Sequence, residues 1–420
     1  MRWCRLALLL VPCIAQAQIL DFKSGHGKGQ YQLGSYPQDS LLRDFVDTPT
    51  HDINADVRLL VGGRNSNWDW QADYQFIVRS GDTLDLSRQL AGSFLVPGAA
   101  LNDEHRLMDL THVISENDDS ILLHRLDRLH FGYTGDKTVV RVGRQAVSWG
   151  NGLIYNPVDF FNPFDPAAVD KEYKTGDDMV YGQYLQDNGN DWQFVSVWRR
   201  DDQRNTSRDV NTNALKYHAF VGEQELDVLL AQHYDDQIIT AGGITSWGGA
   251  IVRGDVVFTH TDSDDYLSAV ANLTYSWVWG GKNVSGLVEY FYNGMGLRED
   301  DYSKLIGNFY SEPGNEKDLL SRLERGELFT IGRHYLAGGL TIEITPLIIL
   351  SPTVFINMGD GSALAQVVGQ YDFKQNWQFL LALNLPVGSD GTEFGGLDTG
   401  FENKQFSIGP SLFAQLAFYF

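Results

Sequence analysis

The chain has 420 residues and a formal net charge of −22, with 54 acidic against 32 basic side chains. Phosphate binding relies on clustered Lys and Arg, so this balance argues against nucleic acid as a partner. The 19 Tyr, 23 Phe, 10 Trp and 43 Gly suit β architecture better than helix bundles, and beyond the first residues no apolar run reaches the roughly 18 needed for a membrane-spanning helix.

In chain order, Arg2 and Arg5 precede the apolar run Leu6 to Ile14, which ends in Ala15-Gln16-Ala17. This is the plan of a secretory signal peptide, so residues 1–17 are expected to be removed and 18–420 to form one domain. Pro12 stands where a lipoprotein signal needs a small residue before Cys13, which weighs against lipid attachment. Cleavage would remove both Cys4 and Cys13 and shift the charge from −22 to −24 by loss of Arg2 and Arg5. Neither a disulfide nor a thiolate metal site is then expected.

Period-2 alternation begins soon after. Between Asn67 and Arg79, Trp68, Trp70, Ala72, Tyr74, Phe76 and Val78 share one face, while Asp69, Gln71, Asp73, Gln75 and Arg79 share the other. The pattern recurs from Leu267 to Trp279 and from Trp377 to Leu385, and it predicts strands with one face suited to lipid and one to water. A bilayer offers backbone groups no partners, so such strands must close into a barrel. Long connections near residues 80–120, 148–176, 200–212, 294–329 and 387–402 fall on one side. Short turns at Gly135-Asp136, Asp187 to Asn190, Thr345-Pro346 and Lys374 to Asn376 fall on the other. The expectation is an all-β transmembrane antiparallel barrel of about 18 strands, with about 16 as the alternative, and a first strand near Gly29 to Tyr36. Glu316 to Leu328 has the spacing of a short amphipathic helix within its loop, with an irregular solvated loop as the other reading.

Lys137 to Val147 reads as a strand, and the loop Ser148 to Lys174 that follows is unusually apolar. Trp149, Leu153, Ile154, Tyr155, Phe160, Phe161 and Phe164, stiffened by Pro157, Pro163 and Pro166, predict a loop folded into the barrel. Beside it, Arg125, Arg128, Lys137, Arg141 and Arg144 outnumber Asp127 and Asp136, which predicts a locally positive wall in an acidic protein. Arg141 opposes Val140 and Val142, whereas Arg144 is in phase with Val142 unless Gly143 makes a bulge. Two roles stand open: arginines at a constriction favour anions or carboxylates, or they pair with Asp127, Asp159 and Asp165 to hold the loop. The candidate pore-lining or loop-anchoring residues are Arg125, Arg128, Arg141, Arg144, Gln145, Trp149, Asn156, Asp159 and Asp165.

Acidic stretches at Glu116 to Asp119, Asp201-Asp202, Asp262 to Asp265 and Glu299 to Asp301 lack calcium-loop spacing and read as solvated loop tips. The ten histidines contain no HExxH motif, and no GxSxG elbow marks a nucleophile. No catalytic residue, metal or cofactor is expected.

The final strand, with Leu412, Ala414, Leu416, Phe418 and Phe420 on one face, resembles the closing strand of Gram-negative outer-membrane barrels. Gly143-Arg144-Gln145, Trp149-Gly150, Asn156-Pro157 and Asp159 resemble the GRQ, WG and NPxD pattern of proteobacterial barrels related to alginate-exporter-like porins. This chain departs from that pattern by adding Phe160 to Pro166. The resemblance implies an outer-membrane channel or transporter for small, hydrophobic or acidic solutes, surrounded by lipid and lipopolysaccharide. The barrel-assembly machinery would engage the strand ending in Phe420. The alternatives are a plugged binding barrel, or an outer-membrane protease, lipase or acyltransferase with a catalytic group at its rim.

Overall fold

Alternation of the kind seen in Trp68 to Gly81 places every second side chain on one side of a strand, and this rule organises most of the molecule. The computed structural model describes residues 21–89, 102–298, 302–307 and 316–420, apart from a few side chains near the helix ends. The signal-peptide segment with Cys4 and Cys13, and the acidic stretch Glu299 to Asp301, lie outside the described residues.

The strands are β1 Asp21–Gly34, β2 Thr50–Asn65, β3 Trp68–Gly81, β4 Thr111–Asn117, β5 Ser120–Thr134, β6 Thr138–Gln145 and β7 Asp177–Leu185. They continue as β8 Asp191–Val197, β9 Thr212–Val221, β10 Gln224–His233, β11 Asp236–Trp247, β12 Ala250–His260, β13 Asp265–Trp279 and β14 Lys282–Tyr292. The last are β15 His334–Thr345, β16 Ile348–Asn357, β17 Ala363–Lys374, β18 Trp377–Val387, β19 Leu397–Asp398, β20 Gln405–Phe406 and β21 Ser411–Tyr419. Short helices α1 Asp82–Gln89, α2 Tyr302–Gly307 and α3 Lys317–Glu324 sit in the long connections. The helix α3 falls within the stretch expected from sequence, with Leu319 and Leu323 buried.

Each barrel strand pairs antiparallel with its neighbours, and β21 closes the ring by pairing with both β18 and β1. The result is a closed 18-strand barrel; β4 is an additional strand on β5, and β19 and β20 form a separate pair. The first strand starts earlier than expected, at Asp21, because its glycine-rich sequence carries no apolar alternation to mark it. Its register is unambiguous nonetheless, with Tyr31 opposite Ile53 and Gly27 opposite Phe418.

The short turns after β2, β5, β7, β9, β11, β13, β15 and β17 lie at one end with the start of β1 and the end of β21. The other end carries the long connections and the short turns 234–235, 261–264 and 358–362. Outward positions are apolar and exposed: Val256 and Phe258 on β12, Leu273 and Tyr275 on β13, Val288 and Tyr290 on β14, and Phe379, Leu381, Leu383 and Leu385 on β18. Their in-between neighbours Asp255, Asn272, Glu289 and Ala382 are buried inside. A continuous apolar belt of this extent is the outer surface of a barrel built for a bilayer.

The candidate pore constriction

The wall has a seam where the apolar loop departs. The strand β6 stops at Gln145, so it covers β5 only from Leu129 to Thr134; β4 covers the remaining edge of β5, from Ser120 to Arg125. Gly143 adopts φ +127°, and a Cβ there would lie 2.2 Å from the Leu129 carbonyl, so this turn of the backbone requires glycine. Arg144 is buried while Val142, on the same strand parity, is exposed. Arg144 donates from Nε to Asp178 at 2.8 Å, from Nη1 to Asp103 at 2.9 Å and from Nη2 to the Met108 carbonyl at 2.6 Å. It thereby fastens the segment before β4 to β7.

The loop between β6 and β7 then runs along the inner wall. Trp149, Val158, Phe160 and Phe161 pack on Met179, Val195, Val197, Ala214, Leu229, Ile238 and Val257, which are inner residues of β7 to β12. Tyr155 packs on Val270, Phe291, Tyr335, Ala337 and Phe355 of β13 to β16. Each such fully buried apolar side chain stabilises by about 1.5–3 kcal/mol. Polar anchors fix the register of this packing. Asp255 accepts from the Asn151 backbone N–H and Nδ2, both at 2.6 Å. Glu289, fully buried, accepts the backbone N–H groups of Leu153, Ile154 and Tyr155 at 2.7, 3.0 and 2.6 Å. Three otherwise orphaned donors thus find one carboxylate.

The returning half of the loop faces the other side of the barrel. Gln366 of β17 donates to the Ala167 carbonyl at 2.7 Å. Lys28 of β1 reaches both Asp170 and Glu172 at 2.6 Å, and Tyr419 of β21 donates to Glu172 at 3.0 Å. Tyr173 lies under the Arg58 guanidinium, 4.0 Å from ring centre to Cζ. Lys174 closes the loop onto its own beginning, donating to Asp159 at 2.5 and 2.6 Å and to the Val147 carbonyl at 2.7 Å.

Between this returning segment and the wall lies an open polar cavity of about 210 Å³ lined by His26, Lys28, Arg58, Arg79, Arg125 and Gln75, with Asp56, Asp170 and Tyr173. A bulge in β5 sets up its lower edge: Asp73 pairs with Arg128 and Tyr74 with Leu126, leaving Asp127 unpaired. Asp127 and Arg128 therefore both interact inside, and Asp127 takes Arg58 at 2.7 Å, Arg128 at 2.8 Å and Arg125 at 3.6 Å. Three guanidinium groups share one carboxylate. Arg79, exposed to the lumen, makes no hydrogen bond or ion pair among the described residues.

The nine candidates from sequence are distributed over several places. Arg125 lines the polar cavity and donates to Gln75 at 2.9 Å. Arg128 binds Asp127 and the Lys174 carbonyl, tying wall to loop. Arg141 and Gln145 line a different cavity beneath the loop base. Trp149 donates to Gln193 at 2.8 Å, and Asn156 donates to the Trp149 carbonyl at 2.9 Å. Asp159 is held by Lys174, and Asp165 accepts the Ala167 N–H at 2.8 Å in a local turn. Of the carboxylates expected to pair with arginines, Asp127 does so and the other two do not: Asp159 is taken by Lys174, and Asp165 accepts a backbone N–H of its own turn. Sequence reasoning missed Lys28, Arg58, Arg79, Asp255 and Glu289. Alternation in β2 was the available signal for Arg58, since Ile53 and Val57 are exposed outside.

No family profile and no curated protein sequence matches the chain. Solved structures do share its fold. A BenF-like porin from Pseudomonas fluorescens Pf-5 aligns with a TM-score of 0.52 at 10% identity, over 94% of this chain and 97% of that one. Pseudomonas aeruginosa OpdL aligns with a TM-score of 0.51 at 12% identity, over 94% and 98% of the two chains. Pseudomonas aeruginosa OccK5 (OpdH) gives 0.51 at 8% identity, over 94% and 96%. At such identities the likeness is one of fold: this chain shares the closed β-barrel architecture of these porins.

Proposed function

We propose that this barrel is a non-enzymatic outer-membrane channel, narrowed by the loop Ser148 to Lys174, that passes small anionic solutes, carboxylates among them. The long connections would face outward and the short turns the periplasm. Support comes from the cavity between Asp170, Tyr173 and the wall, where Lys28, Arg58, Arg79 and Arg125 converge and Arg79 is unpaired. The loop's apolar residues cover the inner wall of β7 to β16 and leave the basic side as the hydrated route. In a confined site, fixed positive charge lowers the cost of dehydrating an anion and raises that of a cation. The box around Gly143-Arg144-Gln145 supports a kinship with alginate-exporter-like porins in the same sense. Lipid and lipopolysaccharide would surround the apolar belt, and the strand ending in Phe420 would be read by the barrel-assembly machinery.

The test is conductance in planar bilayers. Wild type should conduct with anion preference, and Arg79→Gln with Arg125→Gln should shift the reversal potential toward cations. The shift should shrink at about 1 M salt, where the screening length falls to about 3 Å. A folded barrel that does not conduct, or whose selectivity ignores both substitutions, would overturn this reading.

A further inference from the structure

The loop leaves a second cavity on the opposite side of its base. Of about 300 Å³, it is lined by Arg141, Gln145, Val147, Trp149, Tyr181, Gln193, Lys216 and their neighbours. Two cations and no carboxylate line it, in a chain of net charge −22. Lys216 is shared with Asp227 at 3.0 Å. Arg141 makes no hydrogen bond or ion pair among the described residues, and its Nε is buried without a partner.

The position of Arg141 is built rather than incidental. Its cross-strand partner on β5 is Gly132, where a Cβ would lie 3.1 Å from the Arg141 Cγ. The missing side chain lets the arginine stem lie close against the wall. On the other edge Arg141 pairs with Tyr181 of β7, which also lines the cavity. Asp69 lies across Gly132, within 2.9 Å of that Cβ position, and 3.7 Å from the His130 ring. A guanidinium with a buried, unused donor is costly unless something accepts from it.

We propose that this cavity is a second anion-binding site, taking a small carboxylate or inorganic anion between Arg141 and Lys216. The terminal nitrogens of Arg141 would donate to the anion, Lys216 would add charge from β9, and Tyr181 and Gln193 would border the site. Its role as a second station in transport rests on the channel reading above; its occupancy does not. The basic wall of β1, β2, β3 and β5 and this cavity are lined by separate residues, so they are separable by mutation.

The experiment uses the full barrel in detergent, with bromide as the probe located by anomalous diffraction and acetate as the competitor. Wild type should show bromide between Arg141 and Lys216, and acetate should displace it. Arg141→Gln should lose it and weaken acetate binding there by about tenfold, the size of one lost charge-assisted bond. Arg141→Lys should retain it. Because the Arg141 side chain makes no hydrogen bond or ion pair among the described residues, its substitution should leave the heat-dependent gel mobility of the folded barrel unchanged. No bromide in this cavity while the Arg79–Arg125 cavity is occupied, or equal bromide in Arg141→Gln, would overturn the proposal. A barrel that binds bromide here yet does not conduct would refute the channel and leave the site standing; conduction without bromide here would do the reverse.

Discussion

At Arg144 one guanidinium joins β6 to two other stretches, the segment before β4 through Asp103 and Met108, and β7 through Asp178. It is 1% exposed, and its partners Asp103 and Asp178 are buried with it. Removing one member of a buried, hydrogen-bonded ion cluster leaves uncompensated charge and costs about 3–5 kcal/mol. Arg144→Gln is therefore expected to lower the thermal or urea midpoint of the refolded barrel, with little change in anion preference where assembly succeeds. Arg79→Gln should show the opposite pattern, since that side chain bonds nothing and faces the lumen. Measuring midpoint and reversal potential on the same preparations separates a structural arginine from a pore arginine. If Arg144→Gln alters selectivity at unchanged stability, its assignment to the seam fails.

Among elements, the loop between β6 and β7 is held by an apolar face and by two wall carboxylates, Asp255 and Glu289. Replacing Asn156 to Pro166 with a short Gly/Ser linker removes the packing but no strand pairing, so single-channel conductance should rise in a barrel that still assembles. Glu289→Gln puts an N–H₂ where an acceptor served three backbone donors, and should give a weaker, noisier version of the same increase. Unchanged conductance in both would place the loop outside the conduction path. A second element carries a pH dependence. Glu393, in the connection after β18, is buried and accepts from Tyr335 Oη at 2.6 Å, Asn357 Nδ2 at 2.8 Å and Ile331 N–H at 3.1 Å. Burial away from any cation raises its pKa from 4.5 to about 7. Between those values the folded state holds more protons than the unfolded one, so this contribution to stability is present at low pH and lost as pH rises through about 7. Amide exchange in Gly391 to Gly396 should accelerate, beyond its intrinsic pH dependence, between about pH 4.5 and 7. Glu393→Gln should abolish that excess.

The whole molecule places apolar side chains on its outer face and polar or loop-covered ones inside, the reverse of a soluble sandwich. It should fractionate with outer membranes, give β-rich circular dichroism in detergent, and migrate differently on gels before and after heating. Recovery as a folded, detergent-free soluble protein would contradict the bilayer assignment. No helix among the described residues is long and apolar enough to cross a membrane.

Barrel class, strand number and the ends at which long and short connections fall were legible in the sequence, because side-chain direction in a strand depends only on residue parity. Trp68 to Val78 and Trp377 to Leu385 announce their faces without reference to any other part of the chain. The beginning of β1 was not legible, since its glycines and polar residues alternate with nothing. The partners of the charged residues were not legible either. Parity can say that Arg141 faces inward, but not that Gly132 leaves it room, nor that Lys174 returns to take Asp159. Arg144 is buried although it is in phase with exposed Val142, because the segment before β4 covers it, and Asp127 departs from simple parity because β5 bulges there. Such contacts depend on how neighbouring strands pair and how the loop folds back, which residue parity does not record. The sequence by itself determined a closed barrel with an apolar exterior and an apolar loop. Tertiary structure decided which cations pair and which stay free, because Coulomb interactions and hydrogen bonds depend on distances that strand pairing and loop packing alone set.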